Sequence, residues 1–260
     1  MKKQILAIAA ALAVGTSAVS AQFTINTAHP ERVITVGVRA GGNVSNTSSN
    51  ESDLLSAINM YDGEWKGGFT LGVVADLNIR EYISIQPGVF YSSASHGFKR
   101  MSIGRTLPTE EYPAGTDYAT ATSSSSTAHY FQVPLLVSFK VEAGPKIKLI
   151  AEAGPYFAWG LGGHEKYSIK NFDGSPAGGA TPTHKRDYFG RGGISRTYDW
   201  GFKMGVGVMF DRISINAHYL AGCRDVLRPS ACNDPNADPM ILAGVDGYNK
   251  MWQFTLGYNF

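Results

Sequence analysis

From residue 32 onward the chain repeats one pattern, with apolar side chains at every second position and charges and glycines confined to the row between them. Such period-two alternation belongs to strands that turn one face to an apolar environment. Eight segments carry it, at about 32–40, 67–79, 82–93, 129–142, 146–161, 198–210, 212–222 and 250–260. One row runs through Val36 and Val38, Phe69 and Leu71, Phe131 and Val133, Phe157 and Trp159, Trp200 and Phe202, and Trp252 and Phe254. It holds neither a charge nor a glycine. The opposite row holds Arg39, Asp76, Lys140, Lys148, Glu152 and Lys203, interleaved with glycines such as Gly72, Gly154, Gly205 and Gly257.

The connections between segments alternate in length. Arg80-Glu81, Ala143-Gly144-Pro145 and Asp211 are tight turns, whereas 41–66, 94–128, 162–197 and 223–249 are long and polar. Short turns at one end and long loops at the other describe an up-and-down antiparallel barrel whose ends face different compartments. An eight-stranded barrel is just wide enough inside to be filled by side chains, so the tryptophans and phenylalanines must point outward. An apolar wall of that extent is not tolerated in water, and its solvent must be lipid. The expectation is an all-β, eight-stranded transmembrane barrel in an outer membrane, with short periplasmic turns and long extracellular loops. The competing reading, a soluble barrel with the aromatics around an inner pocket, would leave the glycine-rich polar row in water. Pro87, Pro134 and Pro155 lack the donor that a ladder uses, and are expected to mark bulges.

Residues 1–21 have the layout of a secretory signal peptide: Lys2 and Lys3, an apolar run from Ile5 to Val14, then small residues ending at Ala21. The barrel domain is expected over 22–260. Without Lys2 and Lys3 the 23 basic residues become 21, against 21 acidic, so nucleic acid is a poor candidate partner. With 30 glycines in 260 residues and only 17% charged residues, the composition also excludes an ordinary helical protein and a disordered chain.

The segment Ile83-Ser84-Ile85-Gln86-Pro87-Gly88-Val89-Phe90-Tyr91-Ser92 resembles the Ser-Ile-Gln-Pro strand of the PorT-like outer-membrane β-barrel family of Gram-negative bacteria. Tyr130 to Leu136, Ala153-Gly154-Pro155-Tyr156 and the closing Phe254 to Phe260 are similar to that family in the same order. The resemblance implies the barrel and its location, and, through the name-giving member, a role as partner-binding subunit of an envelope secretion or transport complex. The terminal row Trp252, Phe254, Leu256, Tyr258 and Phe260 is similar to the signature read by the barrel-assembly machinery, which would be a partner alongside outer-membrane lipid.

For chemistry, Arg39, Lys140, Lys148 and Lys203 need counter-ions in a narrow lumen, and Asp76 and Glu152 are the acids on that row; a paired network would act as a plug. His96, His129, His164 and His184 fall near the outer rim or in long loops and His218 on the inner row, with no spacing that selects a catalytic set. No HExxH or GxxxxGK[ST] motif occurs, and 233–238 lacks the ordered ligand spacing of a calcium loop. No cofactor is expected. Cys223 and Cys232 are expected to form a disulfide stapling the last loop. The Ser/Thr-rich stretch 118–127 is expected to be a mobile loop. The chain reads as a non-enzymatic structural or surface-interaction protein, with a secretion-complex subunit or a narrow channel for ions or small solutes as alternatives, and long loops available to an envelope or extracellular protein.

Overall fold

The computed structural model describes residues 23–48, 62–105, 117–171, 184–190, 193, 195–227 and 247–260. Nine strands occur among them: β1 (Ile34–Ser48), β2 (Asp62–Arg80), β3 (Ile83–Arg105), β4 (Asp117–Gly144), β5 (Ile147–Asn171), β6 (His184–Asp187), β7 (Tyr198–Phe210), β8 (Ile213–Gly222) and β9 (Tyr248–Asn259). All but β6 form the wall. Each wall strand pairs antiparallel with its neighbours in chain order, and β1 closes the ring on β9 from Gly37↔Asn259 to Ser48↔Tyr248. Closure matters energetically, because it leaves the wall no edge of unpaired backbone groups. The short β6 hangs on the outer part of β5.

The two rows separate as the sequence predicts. Along β7 the exposure alternates residue by residue, with Trp200, Phe202, Met204, Val206, Val208 and Phe210 outward and Lys203 enclosed. Asp76, Arg39, Lys140, Glu152 and Lys203 are all buried inside the ring. Several inner glycines are required by that filling: a Cβ at Gly257 would stand 2.5 Å from both Arg39 Cδ and Ser214 Oγ, and one at Gly88 would stand 2.9 Å from the Phe90 ring.

Three expectations are corrected. The strands run well past the predicted segments at the long-loop end, and the Ser/Thr stretch 118–127 is part of β4, paired with β3 throughout and with β5 from Thr120 onward. The alternation failed there because both faces are polar: Ser124 and Ser126 are enclosed while Ser123 and Ser125 are exposed. Second, the prolines make no bulges. The β3–β4 register is the same on either side of the gap between Pro87↔Leu135 and Phe90↔Gln132, and Pro155 pairs in unbroken register with Phe202. Register shifts occur instead at Lys66/Thr70, Asn78/Arg80, His129/Tyr130 and Glu142/Gly144. Third, the tight turns are centred on Glu81-Tyr82, Pro145-Lys146 and Asp211-Arg212. Asp211 takes a φ of 53°, a left-handed conformation that a short polar side chain tolerates.

With Val206 outward and 64% exposed near the middle of β7, its replacement by arginine is expected to destabilise the vesicle-inserted barrel by about 2–4 kcal/mol. Urea unfolding from lipid vesicles measures this, and a neutral result would mean that the position does not meet hydrocarbon.

Candidate functional site: a filled lumen and its two mouths

The barrel interior is a stack of polar layers. Nearest the short turns, Lys140 Nζ donates to Asn78 Oδ1 at 2.9 Å and lies 3.6 Å from Asp76. Asp76 Oδ1 also accepts from Ser84 at 3.1 Å and Gln86 at 3.0 Å. Arg39 donates to Asn259 Oδ1 at 2.8 Å. In the middle, Glu152 Oε2 meets His218 Nε2 at 2.7 Å, and its other oxygen accepts from Ser138 at 3.3 Å. Lys203 Nζ donates to Gln253 Oε1 at 2.9 Å and stands 4.5 Å over the Phe90 ring. Gln253 passes the chain on to Gln132 and Ser92, and Ser92 to Thr70. Hydrogen bonding of this kind is what makes most of these buried polar groups tolerable, although His218 Nδ1 and Asp199 Oδ1 have no hydrogen-bond partner among the described residues. The enclosed cavities around these layers measure about 30 and 10 Å³, room for a few waters at most.

The long-loop mouth is closed by residues that sequence reasoning missed. Tyr188, 1% exposed, drops inward from the end of β6 and packs edge-on against His96 at 5.3 Å and Phe189 at 4.8 Å. Phe189 in turn meets Tyr130 at 5.4 Å, over the positions that Gly160 leaves free of a side chain. Below them Tyr156 Oη donates to Asp199 Oδ2 at 3.2 Å, and Asn249 Nδ2 to the same oxygen at 3.1 Å. Glu165 and Ser124 are hydrogen-bonded deep in the same wall. The loop carrying Tyr188 has no amphipathic period, so nothing in its sequence announced the plug.

At the other end lies an open vestibule of about 310 Å³, lined by charges of both signs. Lys148 sits here, not in the enclosed stack: it pairs with Glu81 at 2.9 Å and Glu142 at 3.9 Å, with its side chain 28% exposed. Residues 23–33 form a strap across this mouth, bridging Thr24 to Glu142 and donating from Glu31 N to Glu81 Oε1 at 3.1 Å and from Arg32 to the Phe260 carbonyl at 2.9 Å. Burial raises the Glu81 carboxyl, but the bonds from Lys148 and from the Glu31 amide outweigh it and hold the pKa below its ordinary value.

His218, His96 and His129 stand apart from one another. His218 is in the lumen, His96 under the plug, and His129 on the outer wall, bonded to Tyr91 Oη at 2.8 Å. Among the described residues no group of three or more His, Cys, Asp or Glu is placed to hold a metal ion. Cys223 is exposed just past β8, while its expected partner Cys232 and the 233–238 loop lie outside the described residues. Trp252, Phe254, Leu256, Tyr258 and Phe260 all point outward along the last strand, and Trp252 and Phe254 stack at 6.5 Å.

The family described as outer membrane protein beta-barrel domain matches residues 20–228. This chain belongs to that family. The chain is therefore an outer-membrane β-barrel protein. Among solved structures, the outer-membrane barrel is similar to Ail, the attachment invasion locus protein of Yersinia pestis, solved with the heparin analogue sucrose octasulfate. That match has 14% identity, a TM-score of 0.36, and covers 88% of this chain and 100% of that one. It is also similar to Neisserial surface protein A, at 12% identity and a TM-score of 0.34, with 86% of this chain and 97% of that chain covered. OprG from Pseudomonas aeruginosa gives 10% identity and a TM-score of 0.30, covering 91% and 99%. No curated protein matches.

Two outcomes follow from the lumen and the short-turn mouth of this outer-membrane barrel. Glu152→Ala removes the partner of His218 and the acid that offsets Lys203 and is expected to cost about 3–5 kcal/mol, much of it recovered in Glu152→Ala/Lys203→Met, as read by urea unfolding. Because the folded pKa of Glu81 is depressed below its ordinary 4.5, its stabilising contribution is full above that value and is lost as pH falls through the lowered folded pKa. Glu81→Gln is therefore expected to flatten the acid limb of the stability profile below about pH 4.5 and leave the neutral region's slope unchanged.

Proposed function

We propose that this chain is a closed, non-enzymatic outer-membrane barrel that works as a surface-interaction protein, presenting the outer part of β3, β4 and β5 to the exterior. The observation that carries this reading is the difference in strand length. β4 has 28 residues, β5 25 and β3 23, whereas β8 has 10. A tilted strand needs only about 9–11 residues to cross the bilayer. The surplus forms a projecting sheet, its exposed face carrying Ser123 and Ser125. A rigid paired sheet costs less ordering entropy on binding than a loose loop would. The filled lumen favours this over the narrow channel, since its cavities have room for a few waters at most. On the same reading residues 1–21 are an export signal that is removed, the outward terminal row from Trp252 to Phe260 is the part read by the assembly machinery, and Cys223 bridges Cys232.

The likeness of the Ile83–Ser92 strand to the PorT-like members supports a second reading, a subunit that binds a partner in the envelope. The vestibule and strap at the periplasmic mouth are where such a partner would dock.

One experiment separates the readings. A photoreactive residue placed at Ser125, in the projecting sheet, or at Lys146, in a periplasmic turn, is activated in intact cells. The surface role predicts a discrete adduct from Ser125 and none from Lys146; the envelope-subunit role predicts the reverse. In planar bilayers the wild-type protein is expected to give no conductance steps, and regular steps would replace both readings with a channel.

A further inference from the structure

On the outer wall, immediately beyond the lipid-facing aromatics, four basic side chains gather on one face. Lys166 of β5 and Lys185 of β6 are direct cross-strand partners, and both are exposed. Like charges placed opposite one another in an antiparallel ladder destabilise the pairing. Two residues nearer the membrane on the same face of β5 is His164, which lies across from Thr127 of β4. His129, two residues further down β4, pairs with Gly162. Slight burial, and then the positive field of Lys185, Lys166 and His129, hold His164 below its ordinary pKa. Asp187, opposite His164, is the acid nearest in register; neither lysine is ion-paired among the described residues.

The position of this cluster is as informative as its charge. Phe131, Trp159 and Leu161 are exposed on the wall just below it. His164 follows Leu161 by three residues, about 10 Å along the strand and, with the strand tilt, about 8 Å of height. That is the headgroup layer of a bilayer whose hydrocarbon ends near the aromatics. Lys166 and Lys185 stand one step higher, and their long stems can reach back toward the same level. The register shift at His129/Tyr130 falls between the apolar row and the basic one, and β6 is the added strand that brings the second lysine in.

We infer that Lys166, Lys185, His164 and His129 form a binding site for a phosphate-bearing headgroup of an outer-leaflet lipid, whose acyl chains lie on Phe131, Trp159 and Leu161. A phosphate between the two ammonium groups turns an unfavourable cross-strand pair into a bridged one, with charge-assisted hydrogen bonds from both sides. A soluble anion would gain the same charge contacts but not the apolar ones. The site is independent of the surface-interaction role, which concerns the tip of the sheet and not its membrane-proximal flank.

The test uses the full chain refolded in zwitterionic micelles, with folding confirmed by its heat-sensitive mobility in detergent gels. Retention of a bisphosphorylated glycolipid is titrated by native mass spectrometry for wild type, Lys166→Gln/Lys185→Gln and, as a control, Lys146→Gln at the opposite end. At roughly a five-fold contribution per basic side chain, the double variant is expected to bind about 30-fold more weakly, and the control to match wild type. The dephosphorylated glycolipid should bind wild type no better than it binds the double variant. A second readout does not depend on lipid capture: without anionic lipid the double variant should unfold at a higher temperature than wild type, because the repulsion is gone, and adding the glycolipid should raise wild type alone. Equal retention by wild type and double variant would overturn the site, as would retention indifferent to the phosphates. Inorganic phosphate bound as tightly as the glycolipid would overturn the lipid as its occupant.

Discussion

Everything in this molecule depends on the small bore of a ring of eight strands. The ring satisfies every ladder hydrogen bond only when closed, and once closed it leaves an interior that side chains fill. That one constraint decides which row of each strand faces which way. Bulky side chains cannot fit inside, so they form the wall that lipid wets; glycines and a limited set of polar groups go inside, so they must satisfy one another. The pairing of Glu152 with His218, the handover from Lys203 to Gln253 and Gln132, and the close approach of Arg39 to Gly257 are all consequences of the bore.

The filled interior also explains how work is divided along the barrel. A protein whose lumen is packed has its interaction surfaces at its ends and on its lipid-facing flank. At the short-turn end, the strap of residues 23–33 and the Lys148–Glu81 pair tie the turns together. At the outer end, Tyr188 and Phe189 seal the mouth while β3, β4 and β5 continue outward. The basic cluster of Lys166 and Lys185 stands where that continuation leaves the membrane.

The membrane-spanning part of this design was legible in the sequence because it is amphipathic. Each residue there meets either lipid or the lumen, and the contrast between Phe202 and Lys203, or Leu77 and Asp76, repeats at every step. Legibility stops where that contrast stops. Along 123–127 serine and threonine occupy both rows, with Ser124 and Ser126 enclosed and Ser123 and Ser125 exposed, so no apolar contrast marks the faces, and the strand conformation comes from pairing with β3 and β5 and not from a period of its own. Lys148 shares the inner row with Lys140, yet it stands level with the turn, where Glu81 and Glu142 meet it; the pattern fixes the face of a residue but not its height. The Tyr188 plug depends on a contact with His96, 92 residues away in the chain, which no local pattern encodes. Pro155 lacks a ladder donor and reads as a bulge in the sequence, but it faces outward and keeps its register with Phe202.

The central claim is that consecutive residues of one strand see lipid and lumen in turn. It is tested by placing single cysteines along 200–208, in a chain with Cys223 and Cys232 replaced by alanine, attaching a fluorophore to each, and measuring quenching by a lipid-soluble and by an aqueous quencher in vesicles. The account predicts labelling and strong lipid-phase quenching at 200, 202, 204, 206 and 208, and at 201, 203, 205 and 207 either no label taken up by the folded barrel or no folded barrel, because the filled lumen has no room for the added group. Aqueous quenching at 203 and 205 with protection at 202 and 204 would turn the barrel inside out and contradict it.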